Sequence, residues 1–370
     1  MKALILSCNT GQGHNSVSAS VSSAFEARGI KTDVSDALAY VSEWASKTVC
    51  EWHVRLYRYF PKASGTSYGF IEQHPELFDS RSPIHKLLHL GIDKLYELIS
   101  TEKYDLVICP HVISALMVTD MLKQYPNIHP RTAFIATDYT CSPMAEESNL
   151  DYYFIPTPSL ISDFEKIGIS HKKIIATDGI PVRPEFYASV EKKEAKRRLG
   201  LSEDCLHALM MFGSMGCGNM PRLAGLISNN MPENGMLTIV CGTNEQVRKK
   251  LEREFADTKN IRTYGLVKNV SALMDSADLF LTKPGGLSTA EAAVKRLPML
   301  LDNAVSGCEQ YNLEYFCKIG AAVTAEGEEE IASKCIMLLN DKELLAKMRD
   351  ALPKRAPAAI QVADTMLDGL

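Results

Sequence analysis

The sequence predicts an α/β protein of two doubly wound, Rossmann-like domains, and three observations carry that prediction. Short apolar runs recur along the chain with little period-2 alternation, the pattern of parallel strands covered on both faces. Stretches of helical period separate them. Near residue 180 the rhythm is interrupted and then begins again, and a length of 370 residues suits two domains better than one core.

KALILSC supplies the first strand, a helix follows from about Ser16 to Arg28, and IKTDVSDA, YDLVICPH, RTAFIATD, DYYFIPT and KIIATDG supply further strands. At Gly179-Ile180-Pro181-Val182-Arg183-Pro184-Glu185-Phe186 two prolines and a glycine mark a boundary or hinge, because proline restricts both itself and its predecessor. After the charged helix VEKKEAKRRLGL, the runs CLHALMMFGSMG, MLTIVCGTN, NIRTYGLV, DLFLTKPGG and LPMLLDNA build a second sheet, with helices such as NEQVRKKLEREFA between them. From about Glu328 the chain is helical, and Lys354-Arg355-Ala356-Pro357 breaks it before a last helix. The expected division is 1–182, 183–350, and a terminal helix in 351–370 returning toward the first domain.

Composition narrows the class. With 46% hydrophobic and 23% charged residues the chain is globular and able to bury a sizeable core. The chain enters a strand at once, and no run approaches the roughly 18 apolar residues of a membrane span, so neither a leader nor a span is expected. Ten cysteines without a CxxC pair predict reduced thiols in a cytoplasmic protein. A net charge of -5 argues against nonspecific nucleic-acid binding. No His/Cys cluster has metal-ligand spacing, and Asp138 is not part of a DxD pair, so no metal dependence is expected. Residues 40–90 depart from the rhythm: aromatics interleave with Lys47, Arg55, Arg58 and Lys62, and Trp52, Tyr57, Tyr59 and Phe60 suit a membrane-surface segment. A helical insertion with those aromatics as core is the plainer alternative.

Each half carries a glycine turn after a strand. In the first, Gly11-Gln12-Gly13-His14 ends in a histidine whose ordinary pKa suits a general base at neutral pH. Taken alone, the residues equally allow a histidine that only hydrogen-bonds its loop. In the second, Gly213-Ser214-Met215-Gly216-Cys217-Gly218-Asn219 satisfies neither the dinucleotide fingerprint nor a Walker motif. Lys283-Pro284-Gly285-Gly286 then turns tightly into a helix, where Ser288 and Thr289 can cap it or meet phosphate. Glu291 follows one turn later, either to bind a ribose 2′,3′-diol or to complement the helix dipole.

TKPGGLSTAEA, with GQGH at the first strand end, TDY at 137–139, GIPVRPEF at the hinge and GCEQYN near 310, resembles the diacylglycerol glycosyltransferases of bacteria and plants. These are the monogalactosyldiacylglycerol synthases and processive diacylglycerol glucosyltransferases, related to the glucosaminyltransferase of peptidoglycan lipid synthesis. The resemblance implies a GT-B architecture with two domains facing a central cleft, donor on the C-terminal domain and acceptor on the N-terminal one. It implies inversion at the anomeric carbon without a metal or other cofactor. By position it assigns Gly285, Gly286, Ser288 and Thr289 to the diphosphate, faced by Gly213, Ser214 and Met215. Glu291 would hold the ribose, Gly265-Leu266-Val267 the uracil, and Glu309 and Gln310 the sugar hydroxyls; Gly13, Pro284 and Leu287 complete the expected donor site. His14 would be the base, and Asp138 would orient it or the acceptor. His111 matches a family histidine but equally suits a satisfied loop histidine, and His74 lies in the presumed lipid-facing insertion.

Two departures stand out. Cys308 replaces an expected glutamine beside the sugar, and Thr140-Cys141-Ser142-Pro143-Met144 replaces an expected histidine and tryptophan on the acceptor side. The expected activity is transfer of glucose or galactose from UDP-glucose or UDP-galactose to diacylglycerol, on the anionic inner face of the cell membrane. Other lipid or isoprenoid acceptors, a UDP-sugar 2-epimerase of the same fold, and a nucleotide-sugar-binding module without turnover are the alternatives.

Overall fold

The computed structural model describes residues 1–8, 12–42, 83–216, 218–302 and 307–370. The aromatic stretch read as membrane-facing falls almost wholly on 43–82, so it and His74 lie outside the described residues. The chain divides into two compact units, one of Met1–Arg183, Ser306–Cys308 and Arg355–Leu370, the other of Pro184–Val305 and Glu309–Lys354.

The first unit is a six-stranded parallel sheet, β1 (Lys2–Ser7), β2 (Lys31–Asp36), β3 (Leu106–Cys109), β4 (Arg131–Ile135), β5 (Tyr152–Ile155) and β6 (Ile174–Ala176), in the order β2-β1-β3-β4-β5-β6. Its central strands β1, β3, β4 and β5 are buried along almost their whole length and mostly apolar, because helices cover both faces. Leu4, Ile5 and Leu6 are each no more than 1% exposed, and burial of such side chains contributes about 1.5–3 kcal/mol apiece. Edge strand β2, KTDVSD, is only partly buried and carries the polar residues an edge tolerates. The last helix, Ala358–Leu367, packs Ala358, Ala359, Val362, Ala363 and Met366 inward and lies against helix Gln12–Glu26. Arg28 pairs with Asp364 at 2.6 Å, while the Asp178 backbone N–H donates to Gln361 Oε1 at 2.8 Å. Surface pairs of that kind contribute little, so the buried apolar stripe is what holds the helix.

The second unit repeats the plan with β7 (Leu206–Met211), β8 (Gly235–Val240), β9 (Ile261–Tyr264), β10 (Leu279–Thr282), β11 (Met299–Leu301) and β12 (Ala322–Thr324), in the order β12-β11-β10-β7-β8-β9. Lys192 and Lys196 of helix Lys192–Arg198 both reach the Asp278 carboxylate, at 2.9 and 2.8 Å, tying that helix to the start of β10. This unit runs on to Lys354, a few residues past the boundary expected at 350, because the Arg296 side chain donates to the carbonyls of Leu352 and Arg349.

Strand order reverses between β1 and β3 in one sheet and between β7 and β10 in the other. In open parallel sheets ligands bind outside the carboxyl ends of the strands at such reversals. Among the described residues, Gly13 and His14 follow the carboxyl end of β1, His111 that of β3, Asp138 that of β4, residues 213–215 that of β7, 265–267 that of β9 and 284–291 that of β10.

Candidate active site

In the first unit the helix after β1 begins at Gln12, earlier than the expected Ser16, so Gly13 and His14 belong to its first turn. That places His14 above the carboxyl ends of three neighbouring strands, β1, β3 and β4. Its ring Nδ1 lies 2.9 Å from the carbonyl oxygen of Pro110, the residue after β3, and 3.4 Å from the Thr137 hydroxyl, after β4. A carbonyl only accepts, so Nδ1 carries the proton and Nε2 keeps its lone pair. The ring of His111 stands edge-on to that of His14, centroids 4.6 Å apart and planes at 76°. Two further bonds anchor the turn: Ser18 Oγ donates to the His14 carbonyl, and Ser7 Oγ donates to Asn15 Oδ1, both at 2.8 Å. Asp138 sits one residue beyond Thr137, half-buried.

In the second unit β7 and β10 are adjacent and in register, Met211 opposite Thr282, so the turns that follow them lie side by side. Gly285 is the N-cap of helix Gly286–Val294, with φ -70° and ψ 139° and no side chain to close the end. The amides of Gly286, Leu287 and Ser288 occupy the positions whose N–H groups no helix pairs internally, the arrangement that receives an anion. An added Cβ at Gly285 would meet nothing within 4 Å, so the approach to those amides is open.

Of the two hydroxyls expected at phosphate, the structure separates one. Thr289 is fully buried, and its Oγ1 lies 3.0 Å from the carbonyls of both Gly285 and Gly286, so it braces the turn from inside. Ser288 remains partly exposed at the helix end. Glu291 is buried, 5% exposed. Gly265-Leu266-Val267 follows edge strand β9; Leu266 is 71% exposed, and an added Cβ at Gly265 would crowd Arg248 Cδ at 3.1 Å. Glu309 is half-buried and Gln310 exposed on helix Cys308–Lys318, where the Gln310 amide donates to Glu314 at 2.9 Å.

The loop after β7 is shaped from the β8 side by Gly242, Thr243 and Asn244, which the motifs did not mark. Gly216 and Gly242 have φ of 57° and 56° and press against each other's loops; an added Cβ would stand 2.2 Å from the Cys241 carbonyl oxygen or 2.1 Å from that of Ser214. Only glycine fits both the left-handed backbone and the contact. The Thr243 N–H donates to the Ser214 carbonyl at 2.8 Å, and the Asn244 side-chain amide to that of Gly216 at 2.9 Å. Asn244 also caps helix Glu245–Glu254 by accepting from the Val247 N–H. Its place just before a helix is the one sequence signal for that role.

Among the described residues no group of three or more His, Cys, Asp or Glu is placed to hold a metal ion, and no helix is long and apolar enough to cross a membrane.

Residues 14–182 match the family model described as monogalactosyldiacylglycerol (MGDG) synthase. The processive diacylglycerol beta-glucosyltransferase of Bacillus cytotoxicus is 25% identical, over 99% of this chain and 93% of that protein. MurG of Acinetobacter baumannii superposes with a TM-score of 0.62 at 15% identity, covering 99% of this chain and 98% of MurG. The UDP-GlcNAc 2-epimerase of Neisseria meningitidis, bound to UDP-GlcNAc, gives 0.62 at 14% identity over the full length of both. These likenesses show the two-domain GT-B fold, which a transferase and an epimerase share.

Proposed function

We propose, for a chain that belongs with the diacylglycerol glycosyltransferases, transfer of a hexose from a UDP-sugar to the free hydroxyl of 1,2-diacylglycerol at a membrane surface. The observation that carries this reading is His14, whose Nδ1 lies 2.9 Å from the Pro110 carbonyl oxygen, which fixes its proton there and makes Nε2 the basic nitrogen. An acceptor hydroxyl needs such a group, and a general base of this kind contributes about 10²–10⁴ in rate.

His14 takes the hydroxyl proton as the acceptor oxygen attacks the anomeric carbon from the face opposite UDP, and the C1–O bond to the diphosphate breaks. Attack from that face inverts the anomeric configuration. Charge gathers on the departing diphosphate, and the amides at the start of helix Gly286–Val294, with the dipole behind them, are preorganised to receive it. That arrangement supports chemistry without a metal. A UDP moiety laid along the carboxyl edge would place its diphosphate over the β7 and β10 turns and its uracil toward Gly265-Leu266-Val267. Glu291 would meet the ribose, and Glu309 and Gln310 the sugar. The relatives' names favour glucose as the hexose, while Cys308 stands at a position expected to touch it. Asp138, next to Thr137, suits orientation of the acceptor. The lipid acceptor implies work at the inner face of the cell membrane.

The test is UDP release from the full chain with UDP-glucose or UDP-galactose, with EDTA present, with and without dioleoylglycerol in anionic micelles. Release that requires the lipid supports the reading and identifies the donor. Release without lipid, with a 2-epimer as product, would replace it with the epimerase.

A further inference from the structure

We propose that His111 is a positioning residue: as the N-cap of the helix that follows β3 it fixes the direction of the Pro110 carbonyl, and through that carbonyl the tautomer of His14. The proposal rests on His14 being the base and deepens that reading of the same site.

Helix Val112–Gln124 has no serine, threonine, asparagine or aspartate at its N-cap. His111 occupies the N-cap with extended backbone, φ -146° and ψ 141°, and its ring Nδ1 accepts from the Ile113 N–H at 3.1 Å. A nitrogen that accepts carries no proton, so neutral His111 is the Nε2–H form, the opposite of His14. The His111 carbonyl is fixed as well, accepting from Ser114 Oγ at 2.7 Å and from the Ala115 N–H at 3.1 Å. On the other side, the pyrrolidine ring of Pro110 sets its own φ. The peptide between Pro110 and His111 is thereby held from both ends, and its oxygen is the one that receives the His14 Nδ1–H at 2.9 Å. The edge-on His111 ring, 4.6 Å away, packs against the imidazole from a second direction. Thr137 completes the surroundings of Nδ1 from the β4 side, and a hydroxyl can donate as well as accept. Thr137 alone therefore does not select a tautomer, whereas the Pro110 carbonyl does.

The test is made on the full chain labelled with ring-¹⁵N histidine, by long-range ¹H–¹⁵N correlation above neutral pH. The His14 signals are assigned by their loss in His14→Gln, and kcat and donor KM are measured in parallel. Wild type is expected to show His14 protonated at Nδ1. In His111→Ala, and in His111→Gly, which an N-cap tolerates, that signal should shift toward the other tautomer. Their kcat should fall by about ten-fold or more, up to the 10²–10⁴ a general base supplies, with donor KM unchanged. His111→Asn restores a cap acceptor without a ring, and should recover both the tautomer and most of kcat. An unchanged Nδ1–H signal in His111→Ala and His111→Gly would overturn the proposal. So would a His111→Asn variant with a wild-type tautomer and a kcat as low as that of His111→Ala, since the ring itself would then meet the substrate. The tautomer is read without substrate, so failure of the glycosyltransferase reading would leave this result standing by itself.

Discussion

The Asn312 side-chain amide, fully buried, donates across 2.9 Å to the carbonyl oxygen of Pro284. The two residues come from successive segments of the second unit, one on the helix that carries Glu309 and Gln310, the other at the turn before the open amides of helix Gly286–Val294. One hydrogen bond thus joins the part proposed to hold the sugar to the part proposed to hold the diphosphate. Asn312→Ala leaves a buried carbonyl unsatisfied, at a cost of about 1–3 kcal/mol. The expected result is a lowered melting temperature together with UDP affinity weakened about ten-fold, and calorimetric titration with UDP measures it. Asn312→Asp, which sets a carboxylate against a carbonyl oxygen, should be worse; wild-type UDP affinity in both variants would remove this bond from the site.

Gly242 and Gly213 separate steric from conformational cost. Both have positive φ, 56° and 70°, but an added Cβ at Gly213 meets nothing within 4 Å, whereas at Gly242 it meets the Ser214 carbonyl oxygen at 2.1 Å. Gly213→Ala should therefore cost only the left-handed conformation, about 1–2 kcal/mol. Gly242→Ala must also displace the loop after β7, so it should weaken UDP binding out of proportion to its loss of stability. Equal effects from the two, measured by UDP titration and thermal melting, would show that the contact does not shape the loop.

His207 gives the second unit a dependence on pH. Its imidazole is buried between Thr238, at 2.8 Å from Nε2, and Ser276, at 3.1 Å from Nδ1, and burial holds its pKa down from 6.5 to about 4. Between those values the unfolded chain binds a proton that the folded one refuses, so stability falls as pH drops through that window and is regained above it. The slope should reach about 1.4 kcal/mol per pH unit. Urea unfolding of wild type and His207→Gln across this range checks it: the variant should lack that increment, and parallel slopes would show that His207 is not its source.

The alternation of apolar runs and helical patterns was enough to read both sheets, because parallel strands buried on two faces stand out from the helices between them. What the sequence hid is local geometry set by distant partners. Gly11 and Gly13 suggest a loop, yet the helix starts at Gln12 and His14 is held by a carbonyl 96 residues away. His111 is not a usual cap residue, and nothing around it signals that its ring accepts from Ile113. Thr289 reads as a phosphate ligand from its place at a helix start, but a threonine there can equally turn its hydroxyl to the carbonyls three and four residues back, which is what it does. Gly242 and Asn312 act on segments 28 residues away, where no local pattern points.

The central claim is that His14 supplies the base while the second unit alone holds the nucleotide. It is tested most directly by His14→Ala in the lipid-dependent UDP-release assay, paired with UDP titration of the same protein. The account predicts turnover lower by about 10²–10⁴ with UDP affinity unchanged. Turnover near that of wild type, or a parallel loss of UDP affinity, would contradict it.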